Sequence, residues 1–129
     1  MRLKLLAAMA VAAMPASAAL AQPTVSPIQV VLSEFHYAPS EIDLVHGQTY
    51  VLRITNDGKH AHNLSAKAFF ATVALDPASA ASVKNGAVEV VSGESADVEL
   101  VPKTPGTYEM HCTHPLHSML GMTGKIVVR

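Results

Sequence analysis

Tyr108-Glu109-Met110-His111-Cys112-Thr113-His114-Pro115-Leu116-His117-Ser118-Met119-Leu120-Gly121-Met122 joins two patterns in one run. From Tyr108 to Cys112 large and polar residues alternate. Tyr108, Met110 and Cys112 therefore share one face of an expected strand, and His111 and Thr113 point the other way. Residues 111–122 hold three of the seven histidines, two of the six methionines and the single cysteine of this 129-residue chain. Elsewhere the sequence is poor in groups placed to act together as acid, base or nucleophile.

The segments on either side repeat the strand pattern. Ile28 to Tyr37 is rich in Val, Leu and aromatics, and Pro39 ends it. Ile42 and Leu44 alternate with polar neighbours before a turn at Gly47. Tyr50, Leu52 and Ile54 fall on one face, with Arg53 and Thr55 on the other, and Asn56-Asp57-Gly58 is a strong turn signal. Val88 and Val90 alternate, then Ala96, Val98 and Leu100, and Ile126 to Val128 closes the chain. Short alternating runs with regular turns predict an all-β fold, a sandwich or barrel. The exception is Ala66 to Val83, where Phe69-Phe70 and an alanine-rich stretch from Pro77 predict a short helical excursion. No internal repeat and no second domain are evident.

One cysteine excludes an internal disulfide, which leaves Cys112 as a small buried hydrophobe, a reactive thiol, an intermolecular link or a metal ligand. Its neighbours favour the last. A thiolate, an imidazole and a thioether in one loop suit copper, which has to be stable in two oxidation states to transfer electrons. A blue-copper site takes two His and one Cys, with a weak axial Met. The loop offers Cys112, one or two histidines, and either Met119 or Met122. The remaining histidine has to come from elsewhere. His60 and His62 both flank the turn after Ile54. The Asn63 that follows His62 favours it, because that side chain is placed to tie the segment to the cysteine loop. His36 and His46 read as structural or solvated.

These residues resemble the copper loop of the cupredoxins. Cys112-Thr113-His114-Pro115-Leu116-His117-Ser118 is similar to the Cys-Thr-x-Pro-x-His-Ser of azurins, with the methionine one residue later. The Cys-x4-His-x4-Met spacing matches instead the type 1 loop of multicopper oxidases. His62-Asn63 resembles the His-Asn pair of azurins and plastocyanins. Pro105-Gly106-Thr107-Tyr108 and Gly121-Met122-Thr123-Gly124 also look like the family, and the resemblance runs from about Val30 to Arg129. It implies a Greek-key β-sandwich holding one copper through His62, Cys112, His117 and Met122, with family spacing selecting Met122 over Met119. The segment from Ala66 to Val83 departs from the minimal pattern.

Met1-Arg2-Leu3-Lys4, the apolar run that follows and the small residues at Ala16-Ser17-Ala18 and Ala19-Leu20-Ala21 have the layout of a secretory signal peptide. The expectation is a signal over residues 1–21, a cupredoxin domain over 22–129, a periplasmic destination and no stable membrane insertion after cleavage. Cleavage at Ala21, with Ala18 as the second choice, leaves seven basic against ten acidic side chains, a formal charge of −3. That mildly acidic balance argues against nucleic acid as a partner. The function expected from the resemblance is one-electron transfer, with redox partners docking near the Cys112–Met122 loop on an apolar patch of Pro115, Leu116, Met119 and Leu120. The alternative is copper storage, delivery or resistance, with copper-handling partners and with His60, His111, His114 or Met119 taking a second ion. An enzyme is not expected. Oxidases of this lineage use histidines from further domains, and Thr113 stands where they carry another histidine.

Overall fold

A computed structural model describes residues 13–20 and 25–129. The expected signal segment lies largely outside the described residues. Residues 13–20 are exposed and carry no regular secondary structure. Among the described residues no helix is long and apolar enough to cross a membrane.

The described residues form ten strands and two short helices. They are β1 (Ile28–Ser33), β2 (His36–Ala38), β3 (Glu41–Leu44), β4 (Tyr50–Asn56), β5 (His62–Ser65), α1 (Lys67–Phe70), β6 (Val73–Leu75), α2 (Pro77–Ser82), β7 (Ala87–Val90), β8 (Ser95–Pro102), β9 (Gly106–His111) and β10 (Thr123–Val128). One sheet runs β2-β1-β4-β8-β6 and the other β3-β10-β9-β5-β7. From β2 to β9 each successive strand lies in the opposite sheet, so the chain is laced across the sandwich. The β1/β4 and β3/β10 pairs are parallel and the rest antiparallel.

Alternation decides what is inside. Val30, Leu32, Leu52, Ile54, Val98 and Leu100 point inward from the first sheet. Ile42, Leu44, Leu64, Val88, Met110 and Ile126 meet them from the second, and all are buried. Burying a side chain of this size stabilises by about 1.5–3 kcal/mol. The two faces together supply the rigid base on which the donor-rich end is built.

Three local features differ from the sequence reading. The run from Ile28 to Tyr37 is not one strand. It reverses at Glu34-Phe35, so that Ser33 pairs with His36 and Leu32 with Tyr37. Phe35 sits at φ +65°, a left-handed conformation that tight reversal requires and that an apolar pattern does not announce. The excursion after Ala66 contains two helices rather than one, with β6 between them pairing to β8. Asp76 starts α2 by accepting the Ser79 N–H at 3.2 Å, and Pro77 occupies its first turn. The final strand begins at Thr123, earlier than Ile126, because it pairs with the whole of β9.

Candidate metal centre

The turn from β4 into β5 fixes the first histidine. Asn56 is fully buried. Its side-chain N–H groups donate to His60 O at 2.9 Å and Val90 O at 2.8 Å, and its Oδ1 accepts from Gly58 N at 2.9 Å. The turn is therefore closed from inside by one side chain, and His62 leaves it pointing into the sandwich with no exposed surface. Burial pushes the His62 imidazolium below the ordinary histidine range, and the neighbouring His117 acts in the same direction.

The cysteine loop is closed at its neck. Cys112 N donates to Met122 O at 3.1 Å, and Met122 N donates to His117 O at 3.0 Å. Leu116 at φ +67° and Gly121 at φ +106° bend the chain between these points. Cys112 and Met122 are buried, while His117 is partly exposed.

The donors converge. His62 Nδ1 lies 3.1 Å from His117 Nδ1, and His117 Nδ1 lies 3.5 Å from Cys112 Sγ. Ligand atoms of His62, Cys112 and His117 all lie within 4.8 Å of one another. Two ring nitrogens facing each other beside a thiol is the arrangement that a shared cation satisfies. A first-row metal bonded at about 2.0 Å to nitrogen and about 2.3 Å to sulfur leaves adjacent donors roughly 3–4 Å apart. The donor set and its spacing thus fit a copper ion.

Asn63 ties the two donor segments together, as its place after His62 suggested. Its Nδ2 donates to Thr113 Oγ1 at 2.7 Å and to Glu89 Oε2 at 3.0 Å, and its Oδ1 accepts from Thr113 N at 3.0 Å. Tyr37 adds a buried hydrogen bond from its hydroxyl to Asn63 O at 2.8 Å. Burial, and then the nearby Cys112, push the Tyr37 phenol upward, so it stays a neutral donor.

The competing donors are elsewhere. His60 turns outward and pairs with Glu34 Oε2 at 2.9 Å. His114 pairs with Glu89, and its ring stacks on His117 with centroids 5.5 Å apart. His111 is exposed on the outer side of β9, and Met119 is 82% exposed. Among the described residues, His62, Cys112 and His117 are the one group of three or more His, Cys, Asp or Glu side chains placed to share an ion. His46 bonds Arg129 O at 2.8 Å and His36 bonds Ser33, both at the surface.

Sequence reasoning missed Glu34, Phe35 and Glu89. The signal for the first two was the polar Ser33-Glu34 pair interrupting an apolar run. Hydrogen bonds from the His60 ring and from the backbone of Lys59 and His60 hold the Glu34 carboxyl down to about 2. Glu89 lies in β7 opposite Asn63, a pairing visible only once the register of β5 on β7 is known.

Comparison with known proteins gives a consistent picture. A family profile for the cupredoxin-like domain matches residues 3–128. The copper-resistant cuproprotein CopI of Rubrivivax gelatinosus is 31% identical over 121 residues, covering 89% of this chain and 72% of that protein. Among solved structures, a dithionite-reduced auracyanin from Roseiflexus castenholzii superposes with a TM-score of 0.61 at 23% identity, over 82% of this chain and 99% of that one. Auracyanin A, a blue copper protein of Chloroflexus aurantiacus, gives 0.55 at 22% identity, over 81% of this chain and all of that one. The structural likenesses establish the same fold.

Proposed function

The chain belongs to the cupredoxin-like domain family, and on that premise we propose that it is an exported type 1 copper protein that passes single electrons between redox partners in the periplasm. One observation carries the reading: the donors of His62, Cys112 and His117 converge, the first two buried and the third partly exposed, on segments tied by the hydrogen bonds between Asn63 and Thr113. In this reading Met122, buried beneath the loop, is the weak fourth donor. Copper held there would supply a one-electron Cu(II)/Cu(I) couple.

The protein's own residues account for the rest. Asn63 and Thr113 hold the two ligand segments at fixed separation, so the donors need not rearrange when the charge changes. The sandwich excludes water from Cys112 and His62. His117 alone of the three reaches partial exposure, which makes its edge the route outward. Leu116 and Leu120, 64% and 59% exposed, and Met119 belong to the same loop as His117 and offer a small apolar surface for brief docking. We read the protein as a carrier and not an enzyme; among the described residues His36, His46, His60 and His114 each meet a partner of their own, apart from the donor set.

A second reading, copper handling, is favoured by the likeness to a protein described as a copper-resistant cuproprotein. The two differ in stoichiometry and speed. Adding Cu(II) to the mature protein and recording visible and EPR spectra tests both. One equivalent bound with an intense visible band that Cys112→Ala abolishes supports electron transfer. An ordinary tetragonal, nearly colourless Cu(II) spectrum removes the type 1 reading. Tight uptake of a second ion, as Cu(I), transfers the lead to handling.

A further inference from the structure

The turn between β1 and β2 is two residues long, and each of its side chains meets a different histidine of the cluster. Phe35 sets its ring edge-on against His117, centroids 5.2 Å apart at 83°. Glu34 reaches the other side. Its Oε1 accepts the backbone N–H of Lys59 and, at 3.2 Å, that of His60, while Oε2 pairs with His60 Nδ1 at 2.9 Å. The same Oε1 lies 3.7 Å from His62 Nε2. Among the described residues, that nitrogen is the buried side-chain polar atom without a hydrogen-bond partner. Gly58 makes the approach possible, since a Cβ there would stand 2.7 Å from Glu34 Oε1 and 3.0 Å from His62 Nε2.

We propose that Glu34 is a positioning residue of the metal centre. Its carboxylate takes the Nε2–H of His62, leaves Nδ1 as the metal-facing nitrogen, and favours the oxidised state by its negative charge. The inference rests on the copper reading above and concerns a contact which that reading does not need.

Which imidazole nitrogen carries the proton is set by the partner of the other one. On the inner edge of His62, Nδ1 faces His117 Nδ1 at 3.1 Å, where the donors converge. On the outer edge, Nε2 meets the carboxylate. Closing 3.7 Å to a hydrogen bond takes a shift of about 0.7 Å. Glu34 is no free surface side chain, because the backbone of the turn that carries His62 holds it in place. A Cu(II) centre with one thiolate is one charge more positive than its Cu(I) counterpart. A carboxylate behind one ligand therefore stabilises the oxidised form more.

The test compares wild type with Glu34→Gln and Glu34→Ala. Glutamine keeps an acceptor for the Lys59 and His60 N–H groups and removes the charge, whereas alanine removes both. In the copper-loaded protein, Glu34→Gln is expected to retain the wild-type visible band. Its preference for Cu(II) over Cu(I) is expected to fall about tenfold, a rise of about 59 mV in a one-electron potential. In the zinc(II)-loaded protein, read by nitrogen–proton NMR, the His62 Nε2–H resonance should move upfield in Glu34→Gln. Glu34→Ala should add faster metal release as the 57–61 turn loosens. A Glu34→Gln protein with wild-type potential and an unmoved Nε2–H resonance overturns the proposal. A wild type that gives no type 1 spectrum defeats the copper function instead, and the zinc NMR comparison still decides the hydrogen bond.

Discussion

Replacing Asn63 with alanine removes three hydrogen bonds and leaves the backbone bond from Tyr37 in place. The two bonds to Thr113, at 2.7 and 3.0 Å, join segments fifty residues apart and are part-buried. Each contributes about 1 kcal/mol net. The third goes to Glu89, whose side chain is half exposed, so water replaces it and only a few tenths of a kcal/mol are lost. The expected cost is about 2–3 kcal/mol. At about 4 °C per kcal/mol for a domain of this size, the melting temperature of the metal-free protein should fall by roughly 8–12 °C. Circular dichroism melts measure this directly. The copper-loaded variant should also surrender its metal to a chelator faster, because the His62 and Cys112 segments are no longer tied. A melting temperature within about 2 °C of wild type would refute the claim that these bonds hold the site together. A lowered melting temperature with unchanged metal release would confine their role to folding.

Three further outcomes are expected. His62→Ala should abolish the visible band while His60→Ala preserves it, since His60 turns outward to Glu34; the reverse order by absorption spectroscopy would relocate the ligand. Met122→Gln should leave copper bound but change the potential measured by voltammetry, and an unchanged potential would remove Met122 from the donor set. Asp97 and Asp76 have carboxyls held below their ordinary value of 3.8, by the Arg53 guanidinium and by hydrogen bonding with Ser79 respectively. Depressed carboxyls contribute stability that is present above about pH 4 and is lost as pH falls through their folded values. Acid titration of the metal-free protein should therefore show a loss of stability starting near that pH, with a shallower limb in Asp97→Asn.

The extent to which the site is written in the sequence follows from the range of its interactions. His117 and Cys112 are separated by a local spacing, and local spacing is what a sequence displays. His62 was legible because its neighbour Asn63 is itself part of the tie. Glu34 was not, since its contact with His62 depends on a reversal at Glu34-Phe35 that places β1 beside β2 and the turn beside the β4–β5 connection. The alternating strands of the core were readable for the same reason that they are stable: one face has to be buried. Within 66–83 the short strand β6 escaped notice because Val73–Leu75 is only three residues long and borrows its pairing from the edge of β8. Three residues are too few for periodicity to register.

The hydrogen bond from Cys112 N to Met122 O continues the ladder of β9 and β10 one step beyond the last strand pair, Thr123 with His111. Everything between the two residues is a ring mounted on a finished ladder. Substitutions at the exposed Leu116, Met119 and Leu120 change the ring's rim without shifting the strands beneath or the spacing from His117 to Met122. In the proposed reading, descent can therefore alter the docking rim separately from the donor set, and the two properties are free to be inherited apart.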